Sequence, residues 1–264
     1  MRRPLILAVT CVAVFCAGMQ SASAQFSVHC LSSHQLMDDP IVFPGAPMAT
    51  HMHDFFGNRS TDAYSTYDTM VSSGTTCRFK MDTAGYWAPA LVINGLIQVP
   101  VSINAYYRPP NQYVDSTAVV AFPPDFKMLA GGDTVGDPVA AYWSCDDQET
   151  SRTTLPGDCG PKKTVHANVS FPSCWDGVNT DSLDHRSHVA YPAPLGGCPP
   201  EFPVMVPRLT IIVQYAVHNG AGAMLSSGDA TTLHADFWNT WQQSALVAEV
   251  DRCIHVKRTC LNLH

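Results

Sequence analysis

The stretch "ALVINGLIQVPVSINAYY" (residues 90–107) carries the clearest secondary-structure signal in the sequence. Two apolar runs, residues 91–93 and 96–99, are separated by the pair Asn94-Gly95. An Asn-Gly pair between two such runs is typical of a β-hairpin with a type I′ turn, because both turn residues take positive φ angles. This stretch therefore predicts antiparallel β-structure.

Two further segments predict strands. The segment "TVHANVSF" (164–171) has apolar residues at every second position from Val165 to Phe171, which is typical of a half-buried strand. The run "LTIIVQYAV" (209–217) is apolar along most of its length, as a buried strand is. The 20 prolines and 17 glycines are spread along the chain, which indicates many short elements joined by turns.

One helix is predicted near the C-terminus, in "DFWNTWQQSALVAEVDRCI" (236–254). Leu246, Val250, Cys253 and Ile254 recur at helical spacing, and Asp236 is the expected N-cap. We therefore predict a mainly β fold, β-sandwich-like with α+β as the alternative. It would have long disulfide-pinned loops and one C-terminal helix.

The first residues have the features of a secretory signal peptide, expected over residues 1–24. Arg2 and Arg3 precede an apolar core too short to span a bilayer, and small residues up to Ala24 form a cleavage site. Residues 25–264 are then expected to form a single secreted domain, which begins at Gln25.

Cysteine usage agrees with export. Eight of the ten cysteines lie beyond the predicted signal peptide, and an even number in an exported chain indicates disulfides. Eight cysteines allow about 105 pairings. Short separations favour Cys145–Cys159 and Cys174–Cys198 as two of the bridges.

The charge balance excludes some partners. The chain has 22 acidic and 15 basic side chains, a net charge of −7, which repels nucleic-acid phosphates and anionic lipids. No stretch after the signal approaches the roughly 20 apolar residues of a membrane helix. We therefore expect no nucleic acid and no membrane span; the oligomeric state stays open.

Three polar clusters are candidates for a site, and the first is "HMHDFFGN" (51–58). On an extended chain His51 and His53 point to one side and Asp54 to the other. The pair could hold a divalent metal ion, act in acid/base chemistry, or form a polar turn. A metal at His51 and His53 is one of these open interpretations.

The second cluster lies in "FPSCWDGVNTDSLDHRSHVAYP" (171–192). Asp176, between Trp175 and Gly177, and His188 are the candidates for acid/base roles. Asp181 and Asp184 are better explained as turn residues, because Asp is common in turns.

The third cluster is "SSGDATTLHADFWNTW" (226–241), where His234 and Asp236 precede Trp238. An aromatic ring beside a His/Asp pair suits a flat, weakly polar ligand such as a sugar.

Seven motifs in order resemble those of the DUF1996 family, a group of secreted proteins from filamentous fungi and actinobacteria. The motifs are "HMHDFFGN" (51–58), "YWAP" (86–89), "FPSCWDG" (171–177), "SHVAYP" (187–192), "CPPEFPVMVPRL" (198–209), "SSGD" (226–229) and "LHADFWNTW" (233–241). The resemblance implies export, one domain and no established reaction. The matching polar positions are His51, His53, Asp176, His188, Asp229, His234 and Asp236. Separate motifs of this kind predict one shared pocket.

Two hypotheses follow for function. The first is a carbohydrate-active enzyme, a hydrolase or lyase of cell-wall polysaccharide. Asp176 and Asp236 would be its carboxylate pair, and His188 and His234 would tune them. Its sugar subsites would be lined by Tyr86, Trp87, Trp175 and Trp238. The alternative is a non-catalytic extracellular module that binds glycan or a divalent metal, with zinc or copper held by His51, His53, His188 and His234.

Two sequons, Asn58-Arg59-Ser60 and Asn168-Val169-Ser170, would be glycosylation acceptors in a eukaryotic secretory pathway. A glycan on Asn58 would stand beside the first polar cluster.

Overall fold

The computed structural model describes residues 24–132, 140–146, 154–194 and 196–263. The predicted signal peptide, apart from Ala24, lies outside the described residues. The strands are β1 (Gln25–Leu36), β2 (His53–Gly57), β3 (Gly85–Pro89), β4 (Leu91–Ile93), β5 (Leu96–Ile97), β6 (Pro100–Arg108), β7 (Lys127–Gly131), β8 (Ala141–Ser144), β9 (His166–Ser170), β10 (Cys174–Trp175), β11 (Val189–Ala190), β12 (Val204–Met205), β13 (Arg208–Tyr215), β14 (Ala223–Leu225), β15 (His234–Trp238) and β16 (Thr259–Cys260). The helices are α1 (Tyr67–Val71) and α2 (Gln243–Glu249), with 3-10 turns at Ser116–Ala118 and Ala230–Thr232 and a π-helical segment at Val250–His255.

One ten-stranded sheet dominates the fold, in the order β7-β15-β3-β2-β1-β6-β13-β9-β8, with β16 also pairing with β1. The long strand β1 pairs with β6 through its first half and with β2 through its second, with a register shift between Ser32 and His34. Such an irregularity bends a strand. The two halves of the sheet share one core, in which the Phe171 and Phe237 rings lie 6.2 Å apart. The predicted mainly β, sandwich-like class is confirmed.

The half of the sheet formed by β2, β3, β15 and β7 is covered on both faces. Phe56 and Tyr86 point into the main core, whereas their neighbours Phe55 and Trp87 point the other way. Phe55 and Trp87 stack at 5.5 Å in a second, smaller core that also includes Ile41. This outer face, covered by the segment that follows β1, is where the first and third polar clusters lie.

The three strand predictions are confirmed. Asn94 and Gly95 connect β4 to β5 with φ angles of 52° and 77°, as a type I′ turn requires. The alternating segment forms β9, and the apolar run forms β13, which lies between β6 and β9.

The C-terminal helix is confirmed, but its predicted start is wrong. The helix begins at Gln243 with Gln242 as N-cap, whereas Asp236 lies in the middle of β15. Residues 234–238 pair with β7, and residues 236–238 also pair with β3, so the backbone around Asp236 is bonded within the sheet. The four residues predicted for the apolar face of the helix are all buried: Leu246, Val250, Cys253 and Ile254.

All eight cysteines of the domain form disulfides. The predicted bridges Cys145–Cys159 and Cys174–Cys198 are both present, and the other two are Cys30–Cys77 and Cys253–Cys260. The Cys174–Cys198 bridge closes the long loop that carries the second polar cluster.

Thiol titration of the unfolded, unreduced domain should therefore detect no free thiol. Disulfides stabilise small exported domains by about 2–4 kcal/mol each, so reduction should also lower the midpoint of urea unfolding. A stoichiometric free thiol in protein that was folded before denaturation would contradict the framework.

Two carboxylic acids are buried in the main core. Asp82 accepts hydrogen bonds from the Tyr86 hydroxyl (2.9 Å) and the Ala84 amide (3.1 Å). Asp54 points away from His53 and accepts from the Gln35 amide at 2.5 Å. Burial raises the pKa of Asp82 to about 8 and that of Asp54 to about 7.

These acids predict that the metal-free protein loses stability between pH 7 and pH 9. The folded state keeps a proton on each acid that the unfolded chain has already released near pH 4, so stability is lost as the pH rises through the folded-state pKa values. Asp82 and Asp54 together contribute about 2 kcal/mol of this loss, most of it from Asp82. Urea unfolding with a chelator at both pH values measures the loss. Asp82→Asn should reduce the decline by about 1.4 kcal/mol, and an unchanged decline in that variant would refute the assignment.

Both sequons lie on buried asparagines. Asn58 is 0% exposed, and its amide donates to the Met70 and Thr83 carbonyls at 2.7 and 2.8 Å. Asn168 is 1% exposed and donates to the Ser144 hydroxyl. A glycan on either side chain is incompatible with this packing.

In the part of the chain that is described, no helix has the length and apolar character needed to cross a membrane.

Candidate metal centre

Strand pairing brings the first and third polar clusters together on the outer face of the sheet. His53 pairs with Pro89 of β3, and two residues earlier on β3 Trp87 pairs with Asp236 of β15. Residues of β2 and β15 therefore flank the same short stretch of β3. Because side chains alternate along a strand, His53, His234 and Asp236 lie on one face.

Three imidazoles meet there, and we call His51, His53 and His234 the histidine cluster. The ring centroids of His51 and His53 are 4.3 Å apart. The ring centroid of His234 lies 5.1 Å from that of His51 and 5.8 Å from that of His53. One ring nitrogen from each residue lies within 4.8 Å of the others. Nitrogen ligands of a tetrahedral zinc ion are about 3.4 Å apart, so a small contraction would bring these atoms to ligand spacing.

Hydrogen bonds orient the imidazoles. Nδ1 of His53 donates to the Asp38 carbonyl at 3.0 Å, and Nδ1 of His234 donates to the Thr232 carbonyl at 2.8 Å. A carbonyl only accepts, so the proton is on Nδ1 and the Nε2 lone pair is available. Nδ1 of His51 is bonded to the Thr50 hydroxyl at 3.2 Å. Histidines that bind metals are commonly oriented in this way.

Two imidazole nitrogens of the cluster lack a hydrogen-bond partner in the part of the chain that the structure describes. Nε2 of His51 and Nε2 of His53 are buried without a hydrogen bond among the described residues. Buried polar atoms normally have a partner, because leaving one unsatisfied costs about 1–3 kcal/mol. Two such atoms side by side therefore indicate a ligand.

Two carboxylates adjoin the histidine cluster. One oxygen each of Asp39 and Asp236 lies within 4.8 Å of a nitrogen of His53 and of one another. Asp236 is fully buried, and neither of its oxygens has a hydrogen-bond partner among the described residues. Asp39 Oδ1 accepts from the Ile41 and Val42 amides, both at 3.0 Å.

Burial determines the protonation states of the site. It lowers the pKa of His234 to about 4 and the pKa of His53 well below its usual value, so both imidazoles are neutral at pH 7. Burial, and then the charge of Asp39, raise the pKa of Asp236 well above that of an ordinary carboxyl. A positive ion among these groups would stabilise the charged carboxylates and so lower the pKa values that burial raises.

The histidine cluster opens on a pocket of about 320 Å³. Its walls include His51, His234, Arg186, Ser227 and Thr232. The Arg186 guanidinium donates to the Leu129 and Gly131 carbonyls, which fixes it at the pocket wall. Because His51 and His234 are only partly buried, a ligand can reach the cluster from solvent.

The second polar cluster contributes Arg186 to the pocket wall, but its acid/base candidates His188 and Asp176 lie elsewhere. Nε2 of His188 donates to the Lys127 carbonyl at 2.8 Å, and Lys127 is four residues along β7 from Gly131, the partner of His234. Four residues of strand span about 13 Å, so His188 is near the opposite end of β7 from the histidine cluster.

Asp176 forms a turn. Its Oδ1 accepts from the Val178 and Asn179 amides at 2.8 and 2.9 Å, and its Oδ2 accepts from the Asn179 side chain at 2.7 Å. Asp229 likewise accepts from the Thr231 amide at 2.8 Å, at the start of the 3-10 turn. The structure therefore brings His51, His53, His234 and Asp236 together, while Asp176 and Asp229 cap turns.

The predicted sugar-binding aromatics are mostly buried. Tyr86 and Trp87 are 0% exposed and Trp238 is 4% exposed, so none of the three offers a ring face to solvent in this structure. Trp175 is partly buried, and its indole donates to the Asn179 carbonyl. Substrate binding by these four residues stays a prediction, and burial weighs against it for the first three.

Asp39 adjoins the site, although no sequence motif singled it out. The signal available was the pair Asp38-Asp39, two adjacent acids in a chain with only 14% charged residues. Asp38 orients His53 through its carbonyl, and its carboxylate accepts from the Met48 and Ala63 amides. The pair anchors the segment that covers the site.

A family model described as Domain of unknown function (DUF1996) matches residues 39–241, which is more than half of the chain. The match includes every residue of the histidine cluster and both adjoining carboxylates. No curated protein and no solved structure matches the chain.

Proposed function

Since the chain belongs to the DUF1996 family, whose description assigns no reaction, we propose from its histidine cluster that it binds one divalent transition-metal ion. The ion would be held by Nε2 of His51, His53 and His234. The observation that carries the proposal is the pair of buried, unpartnered Nε2 atoms on His51 and His53 beside a third imidazole.

The donor set favours zinc or copper. Imidazole nitrogens suit zinc and copper, whereas calcium and magnesium take oxygen ligands. The carboxylates of Asp39 and Asp236 would supply negative charge, and Asp236 is the candidate fourth ligand. His53 belongs to both ligand groups, so its Nε2 would be the central ligand of a single ion.

The pocket supports a role beyond structure. Structural zinc sites are closed by four protein ligands, whereas catalytic zinc keeps a position for water or substrate. Here a pocket of about 320 Å³ adjoins the partly buried His51 and His234. A bound zinc ion lowers the pKa of its water to about 7, which would allow metal-assisted hydrolysis. We propose a cell-wall glycan as the substrate class and export as the setting, as the sequence predicts.

The carboxylate-pair mechanism has less support. It requires Asp176 and Asp236 to flank one scissile bond. Asp176 is bound in its turn by three hydrogen bonds, and Asp236 faces the histidine cluster. The geometry therefore favours the metal interpretation of the third polar cluster.

Metal titration tests the proposal. Purified protein is analysed for metals, stripped with a chelator, and titrated with zinc and with copper by calorimetry. We expect one ion per chain, and a screen against cell-wall polysaccharides with and without metal then separates an enzyme from a binding module. Protein that is folded but binds neither ion would overturn the proposal.

A further inference from the structure

A second cavity, of about 710 Å³, opens where β6 ends and β13 begins, and it shares no lining residue with the histidine pocket. Its walls include Arg108, Arg208, Lys257 and Ser116. We propose that this cavity binds an oxyanion group (phosphate, sulfate or carboxylate) of a small ligand, through Arg108, Arg208 and Ser116.

The two arginines are direct neighbours. Arg208 of β13 pairs in register with Arg108 of β6. Like charges directly opposite each other on antiparallel strands are destabilising. The pair therefore needs either a carboxylate from the protein or an anion from outside.

No protein carboxylate fills this role among the described residues. The groups whose charges affect the pKa of Arg208 are Arg108 and the Tyr142 phenol, and for Arg108 they are the Tyr106 and Tyr142 phenols. Burial lowers the pKa of both arginines, yet a guanidinium remains charged at pH 7. Two half-buried positive charges thus stand together in a chain whose net charge is −7.

The guanidinium groups of both arginines carry N–H donors that an anion could use, and contacts hold Arg108 in place. Arg108 donates from Nε to the Gln25 side chain at 2.6 Å and lies 4.7 Å above the Tyr106 ring, which orients its two terminal amino groups. Nε of Arg208 is buried without a hydrogen-bond partner in the described structure. A guanidinium fixed in this way matches the paired oxygens of a carboxylate or phosphate.

Ser116 supplies an independent indication. It is 3% exposed, lines the cavity, and its hydroxyl has no hydrogen-bond partner among the described residues. A buried hydroxyl without a partner is unusual, because hydroxyls rotate to find one. An oxyanion between the arginines would accept from it.

The nearby acid is engaged elsewhere. Asp115 is close enough to Lys257 for their charges to interact. Its Oδ1 accepts from the Thr117 amide and hydroxyl at 3.0 and 2.8 Å, where it caps the 3-10 turn. Lys257 therefore adds positive charge at the rim of the cavity, and the two arginines still lack a negatively charged partner among the described residues.

The test uses chelator-treated protein, so that phosphate cannot bind through a metal at the histidine cluster. Calorimetric titrations with inorganic phosphate, sulfate and glucuronate, with glucose as the uncharged control, measure affinity. Arg208→Gln and Arg108→Gln should each weaken anion binding about 10- to 100-fold, the effect of losing a charged hydrogen bond. Ser116→Ala, a milder change, should weaken it several-fold.

The matched control is Arg78→Gln, an exposed arginine outside the cavity, which should leave anion affinity unchanged. His53→Ala should also bind the anions normally, while Arg208→Gln should still bind zinc, so the two sites are tested separately. Tighter binding of glucuronate than of the inorganic ions would identify an acidic sugar as the ligand class. No anion binding, or equal affinity in the native protein and both arginine variants, would overturn the proposal.

Discussion

His53→Ala should lower zinc affinity by more than about 100-fold relative to the native protein. Removing a group that merely orients a metal ligand typically costs 10–100-fold, and His53 is itself the central ligand of the proposed site. His53 takes part in both ligand groups, with the other two imidazoles and with the two carboxylates. Calorimetric titration of chelator-treated protein measures the change.

The matched control is His218→Ala. His218 is exposed and hydrogen-bonds the Lys163 carbonyl away from the sheet, so its loss should leave zinc affinity unchanged. His234→Ala and His51→Ala should also weaken binding. If the His53 and His218 variants bind zinc equally well, the ion is not held by the histidine cluster.

Asp236→Leu should make the metal-free protein more stable, by about 1–3 kcal/mol. The native side chain is fully buried with two unpartnered oxygens, and an apolar side chain of similar shape avoids that cost. Urea unfolding in the presence of a chelator measures this difference. Asp236→Asn serves as the control, because it keeps the shape and the polar atoms and should give little or no gain.

Zinc should reverse the order of stability. At a zinc concentration 1,000 times the native dissociation constant, binding adds about 4.1 kcal/mol to the native protein, which exceeds the gain of about 1–3 kcal/mol expected for the metal-free variant. The Asp236→Leu variant, without the adjoining carboxylate, should gain much less. A variant that is less stable than native protein without metal, and equally stabilised by zinc, would show that Asp236 has only a packing role.

Much of the local structure could be predicted because its cause is local. The Asn94-Gly95 turn and the alternation that ends at Phe171 depend on backbone angles and side-chain direction within a few residues. The two short disulfides followed from separation along the chain. His51 and His53 point the same way because they are two residues apart near the start of a strand.

Asp236 shows where local signals were insufficient. Its sequence context, an acid before an apolar helical repeat, is the context of an N-cap. The two neighbouring strands, β3 and β7, instead pair with residues 234–238 and hold them in the sheet. Pairing between strands more than a hundred residues apart is decided by the whole sheet, and this overrides a local preference.

The sequence by itself determined the fold class, the disulfide-linked character that its cysteines predict, and the residue types available for a site. Only the tertiary structure decided which of those residues meet. The register of β2, β3 and β15 places His53 beside His234 and Asp236, and the segment after β1 adds Asp39. His188 instead bonds the carbonyl of Lys127, which lies about 13 Å along β7 from Gly131, the partner of His234. Sequence periodicity fixes the face on which a side chain lies, but the neighbour across that face is set by strand pairing, which depends on the packing of the whole chain.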